Sequence, residues 1–177
     1  MSTELIVSII SVTGVIFSAL VAYITSLKVQ RNNYRDEYFK TIIAKRLEAY
    51  ECINTQLMVM RLLVFDDDDR KYYHIFFDNG ANKLLEYQNN LHHAAARSIW
   101  FSAEMIDAIG KLYSIFYEIN NLITDDRDQN VEIGKNYHER LRSAQLNVSK
   151  VLVADMASLH KVKKFIKCKK SAYNKNR

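Results

Sequence analysis

The side chains able to do acid–base or metal chemistry are few: five histidines, two cysteines and two short acidic runs. His92 and His93 are neighbours that would project about 100° apart on a helix, so they do not readily share a ligand. His74 follows the run Asp66-Asp67-Asp68-Asp69, and His138 lies near the start of the last long helical stretch. All four read as surface or interhelical polar groups. Four adjacent carboxylates suggest a divalent cation, but neighbouring side chains do not by themselves converge on one ion, so the run predicts a solvated turn that ends one helix and caps the next. Asp126, Asp128 and Asn130 imitate the first ligands of a calcium loop. The imitation fails at Val131, where the turn needs Gly, and at Tyr137, where the bidentate Glu belongs. Gly-rich phosphate loops, zinc-spaced cysteines and nucleophile elbows are absent from the sequence. These residues predict no metal site, no cofactor and no catalytic group of a familiar kind. His160, with Asp155 five positions before it, is the one histidine that gains weight below.

The element that organises the chain is the run Leu5–Leu27, LIVSIISVTGVIFSALVAYITSL, which carries no charge and a single Gly. As a helix it would span about 34 Å, enough for a hydrocarbon core of about 30 Å. Met1, Ser2, Thr3 and Glu4 supply no basic n-region, so a retained anchor is expected over a cleaved signal. Lys28, Arg31, Arg35, Lys40, Lys45 and Arg46 follow the run, opposed only by Asp36 and Glu37. Cations gather on the cytosolic side of a membrane helix, which puts the N-terminus outside and the rest of the chain in the cytosol. Tyr23, Tyr34 and Tyr38 could place rings at the interface. Ser11, Gly14, Ser18, Ala22 and Ser26, with Ser8, fall on nearly one face; small residues at this spacing permit close helix packing and predict self-association.

Three parts are expected: a transmembrane helix at 1–27, a cytosolic helical bundle at 28–170 and a basic tail at 171–177. The chain has no Pro and only Gly14, Gly80, Gly110 and Gly134, so it lacks the punctuation of a strand-rich fold and predicts an all-α domain. Cys52 and Cys168 are too few for a disulfide framework and read as free thiols. The net charge of +5 is uneven: six basic against two acidic groups at 28–46, eleven against seventeen at 47–160, and eight against none at 161–177. The basic end can lie on an anionic leaflet, contact RNA, or simply be a frayed, solvated helix end.

Apolar spacing predicts that the anchor runs without a linker into a first core helix through Ile42, Ile43, Leu47, Tyr50, Ile53, Leu57, Met60 and Val64, to about Phe65. Such a join would transmit motion, where a Gly/Ser linker would only tether. The apolar segment Tyr72–Phe77 read alone could be a strand; between helices a short helix is expected. Further helices are expected at Lys83–Phe101, with Leu84, Tyr87, Leu91, Ala95 and Ile99 inward, and at Ser102–Ile123, with Met105, Ile106, Ile109, Leu112, Phe116 and Ile119 inward. A polar loop at 124–130 precedes a last helix from about Glu132 to about Lys170.

A helical domain with a histidine on its final helix is similar to the HEPN ribonucleases, whose motif is Arg, a short spacer, then His, at a dimer interface. Here Asp155 stands where that Arg would be, before His160; Arg70 and His74 are the nearest Arg–His pair but sit too close. A degenerate, non-catalytic relative is expected, because such a site needs the Arg for phosphate and the His for proton transfer. The architecture, one N-terminal membrane helix fused to a HEPN-like bundle, resembles the membrane-bound accessory proteins of type VI RNA-targeting CRISPR systems. The resemblance covers the whole chain in architecture and length and carries no short motif. It implies a ring of copies in the bacterial inner membrane, a pore made by the N-terminal helices, and depolarisation that strengthens antiviral defence once an RNA-guided nuclease has found its target. It also implies that Ser11, Gly14, Ser18, Ala22 and Ser26 pack neighbours or line the channel, and that Asp155 and His160 are an interface remnant. From the residues themselves, Lys28, Arg31 and Arg35 are membrane-interface cations, and Lys28 and Arg31 either form a cationic collar at the cytosolic mouth or face lipid headgroups. A membrane-tethered ribonuclease and a non-conducting scaffold or sensor are the rival expectations.

Overall fold

The computed structural model describes residues 3–78 and 80–175, with side chains described over 12–78 and 80–169. The described residues form five α-helices, one β-hairpin and two short 3-10 turns: α1 (Thr3–Val59), β1 (Leu63–Asp66), β2 (Lys71–His74), a 3-10 turn (Ile75–Phe77), α2 (Ala81–Ala95), a second 3-10 turn (Ser98–Trp100), α3 (Ala103–Asn120), α4 (Arg127–Ala157) and α5 (Val162–Lys175). The fold is mostly helical, as the composition predicts. Two compact units divide it, Met1–Ile42 and Ile43–Arg177.

In the first unit the apolar side chains stand in the open. Val12, Val15, Ile16, Phe17, Leu20, Val21, Ile24 and Leu27 are all exposed, on every side of the helix. Among the described residues one helix is long and apolar enough to cross a membrane, with a mean hydropathy of 1.7 in its apolar window and none of that window buried. A helix apolar all round matches lipid surroundings rather than a one-sided core.

The second unit is built on burial of one stripe from each helix. Tyr50, Ile53 and Leu57 of α1, with Met60 just past its end, meet Leu84, Tyr87 and Leu91 of α2, Met105, Leu112, Phe116 and Ile119 of α3, and Leu141 and Val148 of α4. These are largely the inward positions that the spacing predicts. Ile99 and Ile106 are exceptions, 67% and 43% exposed. Ile99 turns out because α2 stops at Ala95 and the Ser98–Trp100 turn shifts the phase, while Phe101 behind it is fully buried.

Two stretches depart from the expected helices. α1 ends at Val59, short of Phe65, and the segment expected as a short helix is β2 followed by a 3-10 turn. Leu63-Val64-Phe65 and Tyr72-Tyr73 are branched or aromatic and pair antiparallel, Val64 opposite Tyr73 and Phe65 opposite Tyr72. The Asp run is the loop between the strands rather than a helix cap. The Asp66 carboxylate accepts the Asp68 N–H at 3.0 Å and that of Asp69 accepts the Lys71 N–H at 3.2 Å, so side chains take backbone donors that a helix would use. The loop closes with Arg70 at φ +58°. Lys135 of α4 lies against it, with Nζ 2.7 Å from Asp66 and 3.0 Å from Asp69. Donating hydrogen bonds to Asp66 and then to Asp69 holds the Lys135 ammonium well above its usual range.

The end of α1 is buried, and its last carbonyls need partners. Tyr87 of α2 donates to Gln56 O at 3.3 Å, Gln145 of α4 to Leu57 O at 2.9 Å, and His74 of β2 through Nδ1 to Met60 O at 2.7 Å. Three elements thus cap one helix end.

The last helix also differs from expectation. α4 begins at Arg127 with Asp126 as N-cap, its carboxylate accepting the Asp128 N–H at 2.9 Å, and Asn130 clamps Thr124 through both its amide atoms. The imitation of a calcium loop is therefore a helix start. The helix then breaks: Ser158–His160 form a turn and α5 restarts at Val162, which the break turns into the core.

Candidate functional site

Each residue singled out from the sequence has a definite place, in one of the two units. In the first unit, Gly14, Ser18, Ala22 and Ser26 are exposed on α1; the side chain of Ser11, like that of Ser8, lies outside the described residues. A Cβ added at Gly14 would meet nothing within 4 Å, so within this chain the face is uncovered. The Ser18 hydroxyl donates to Gly14 O at 2.8 Å and that of Thr25 to Val21 O at 2.8 Å, so both polar hydrogens are spent inside the helix. What remains outward are oxygen lone pairs and small surfaces, which lower the cost of close backbone approach in lipid. Ser26 continues into a polar row with Gln30, Asn33 and Glu37 along the same helix.

Lys28, Arg31 and Arg35 are all exposed on α1, and Arg35 lies 3.5 Å from Asp36. Arg46, counted with them from the sequence, belongs elsewhere. It sits in the second unit at 2% exposure, its guanidinium 4.2 Å over the Phe165 ring and its Nε 3.4 Å from Trp100 O. It is a packed core cation, not one free to meet a lipid headgroup.

Asp155 joins three helices. Its Oδ2 accepts the Tyr50 hydroxyl of α1 at 2.5 Å and the Ser102 hydroxyl at 2.6 Å, while Ser102 caps α3 by accepting the Met105 N–H at 3.0 Å. His160 stands apart, exposed in the turn after α4, and among the described residues no hydrogen bond or ion pair joins it to Asp155. The two residues paired by spacing are not brought together, because the break after Ala157 ends the helix that would have set their relation. Asp155 and Ser102 explain each other: the N-cap of one helix is held by the carboxylate of another.

Of the tail, the described side chains of α5 place Lys163, Lys164, Lys167 and Cys168 outward, and Lys169 donates to Ser98 O at 3.2 Å. The basic helix extends to Lys175; the side chains of 171–175 and all of residues 176–177 lie outside the described ones. Cys52 and Cys168 are free thiols.

The fold creates a pair that spacing along the chain does not show. β2 brings His74 beside His138 of α4, ring centroids 5.3 Å apart, at a cleft of about 330 Å³ also lined by Tyr72, Arg61 and Arg142. Burial lowers the His74 imidazole to about 4, against a weaker opposing effect of its bond to Met60. No spacing rule could have linked two histidines on separate elements. The one available signal was the aromatic, branched run before and after the Asp loop, which marks a hairpin. Among the described residues no group of three or more His, Cys, Asp or Glu side chains could hold a metal ion.

The chain matches no protein-family model, no curated protein and no solved structure. Its class is therefore defined by what the structure holds: a mostly helical protein with one long, apolar N-terminal helix able to span a membrane.

Proposed function

We propose that the protein is a single-pass membrane protein, N-terminus outside and second unit in the cytosol, whose copies associate through α1 into a ring that opens a pore. The observation that carries this reading is the exposure of every apolar side chain from Val12 to Leu27, together with the uncovered small-residue face at Gly14, Ser18, Ala22 and Ser26. One helix cannot enclose water, so conduction requires several copies. Lys28, Arg31 and Arg35 stand at the cytosolic end of the span and would favour anions if they face the path. The bacterial inner membrane, the depolarising role and the link to an RNA-guided CRISPR nuclease rest on the architectural resemblance alone. No ribonuclease activity is assigned to Asp155 and His160, since the first is occupied by Tyr50 and Ser102 and, among the described residues, no hydrogen bond or ion pair reaches the second.

The test has two stages. The mass of the detergent-solubilised complex, from light scattering with bound detergent subtracted, should correspond to a discrete ring. Replacing Gly14 and Ser18 together with Leu should reduce that mass and abolish dye-reported depolarisation in cells. A monomeric wild-type protein, or leak retained in the double variant, would refute the reading and leave the non-conducting scaffold.

A further inference from the structure

The cleft beside β2 holds a combination of groups that packing does not explain. His74 is fully buried and His138 is 7% exposed, yet His74 Nε2 and His138 Nδ1 are each buried without a hydrogen-bond partner. An unpaired buried polar atom is destabilising, so two at one place call for an explanation. His74 Nδ1 faces the Met60 carbonyl at 2.7 Å and must donate to it, which leaves Nε2 with a lone pair. That nitrogen needs a donor.

The rest of the lining has a consistent sign. Arg61 and Arg142 border the cleft, and no carboxylate lines it. Glu139 stands beside it, 3.7 Å from His138 Nε2 and 3.8 Å from Arg142. Both are loose ion-pair distances without a hydrogen bond, and the carboxylate is itself 80% exposed, so it is free to swing away. Among the described residues the Arg61 side chain has neither ion pair nor hydrogen bond. A metal ion would meet two guanidiniums and only two imidazoles, a poor donor set. An anion would meet two forked donors and an imidazole able to present Nδ1–H. Met60, Leu63 and the Tyr72 ring supply an apolar wall.

We infer that this cleft binds a small phosphomonoester that carries a hydroxyl group, of the size of a mononucleotide. Arg61 and Arg142 pair with the phosphate, His138 Nδ1 donates to it, and His74 Nε2 accepts from the hydroxyl. The volume is at the lower end of small-ligand pockets, about 300–1,000 Å³, which suits one nucleotide and not a longer chain. The cleft lies wholly in the second unit, so the inference stands apart from the membrane reading.

Calorimetric titration of the detergent-solubilised full-length protein tests it, with the four ribonucleoside 5′-monophosphates, adenosine, inorganic phosphate and a single-stranded RNA oligonucleotide as probes. At least one monophosphate should bind saturably, with adenosine and inorganic phosphate each about tenfold weaker or more. Arg61→Gln with Arg142→Gln should weaken the monophosphate about tenfold or more while leaving the melting temperature near the wild-type value, since both side chains are at the surface. His138→Gln supplies a second variant that keeps the shape of the wall and removes the ring donor, and it should weaken binding as well. Equal binding of adenosine and AMP, phosphate as tight as any nucleotide, RNA binding tighter than every monophosphate, nucleotide affinity unchanged in the Arg variant, or no binding by any probe would each overturn the inference.

Discussion

The Asp155 junction makes the sharpest test of how the second unit is held. Tyr50 is 1% exposed, and its hydroxyl oxygen already faces two donors, the Ser102 N–H at 3.3 Å and Arg46 at 3.5 Å. Its own hydrogen can go only to Asp155 Oδ2, at 2.5 Å. Ser102 spends its lone pair on the Met105 N–H and its hydrogen on the same carboxylate oxygen, at 2.6 Å. Asp155→Ala therefore orphans two donors at once. Hydrogen bonds to a charged group contribute about 1.5–3 kcal/mol each, and half-burial of the carboxylate puts the pair toward the low end, about 3 kcal/mol together. For a domain of this size that is a fall in melting temperature of about 6–12 °C. Thermal unfolding of the detergent-solubilised protein, followed by circular dichroism, reads it directly.

The cycle with Tyr50→Phe separates the bond from general damage. Tyr50→Phe alone leaves Asp155 bonded to Ser102, so its loss should be about 1–2 kcal/mol, and the double variant should be more stable than the sum of the two losses implies by about 1–2 kcal/mol. His160→Ala, on an exposed turn, should change stability by less than about 0.5 kcal/mol. Strict additivity of Asp155→Ala and Tyr50→Phe would sink the argument. So would a loss at His160 equal to that at Asp155, which would mean that the two act as a pair after all.

Other substitutions probe the packing at single points. Gly134→Ala places a methyl carbon 2.7 Å from Cγ and Cδ2 of the fully buried Phe77 ring, so overpacking of about 1–3 kcal/mol should outweigh the helix-propensity gain of about 1 kcal/mol; a raised melting temperature would show that α4 and Phe77 are not in contact. Lys135→Met removes the cation between Asp66 and Asp69, and the hairpin amides should then exchange with solvent faster than those of α3; equal exchange would mean that the loop holds itself. Because His74 stays neutral to about 4 in the folded protein and an exposed histidine titrates near 6.5, the unfolded chain takes the proton first as pH falls. Stability contributed by neutral His74 is complete above pH 6.5 and lost on the way to pH 4, by about 3 kcal/mol, and a denaturant series compared with His74→Gln should show that slope in the wild type alone.

How much of this was legible in the residues depends on the range of the interaction. The apolar span, the inward stripes of α2 and α3 and the start of α3 at Ser102 follow from spacing and composition within a few turns, and the structure has them close to where the pattern puts them. The hairpin was only faintly legible: its residues are branched or aromatic, but its strands are four residues each and an apolar run that short has no period of its own. What decides it is distant: Lys135, from another helix, supplies the charge that lets Asp66 and Asp69 lie together. The break before α5 is of the same kind. The sequence from Glu132 to Lys170 keeps a helical stripe throughout and contains no Pro or Gly near Ser158, so nothing local marks a stop.

The break follows instead from what the two sides must cover. An unbroken helix would carry Val162 and Phe165 onward along the axis of α4, whereas the turn at Ser158–His160 lets Val162 fall to 2% exposure and sets Phe165 under Arg46. A guanidinium at 2% exposure that pairs with no carboxylate among the described residues needs its charge met by other means, and here the Phe165 face, the Trp100 carbonyl and the Tyr50 hydroxyl meet it. Tyr50 in turn passes the demand to Asp155, the last acid of the chain, four residues before Leu159 in the same turn region. The kink and the buried cation are thus one arrangement. It predicts that Phe165→Ala, which removes the ring but no hydrogen bond, should destabilise the unit by about 3 kcal/mol or more and release α5 to exchange faster than α4. Unchanged exchange in α5 would mean that the helix is seated by Val162 alone and that Arg46 is satisfied by its two oxygen partners.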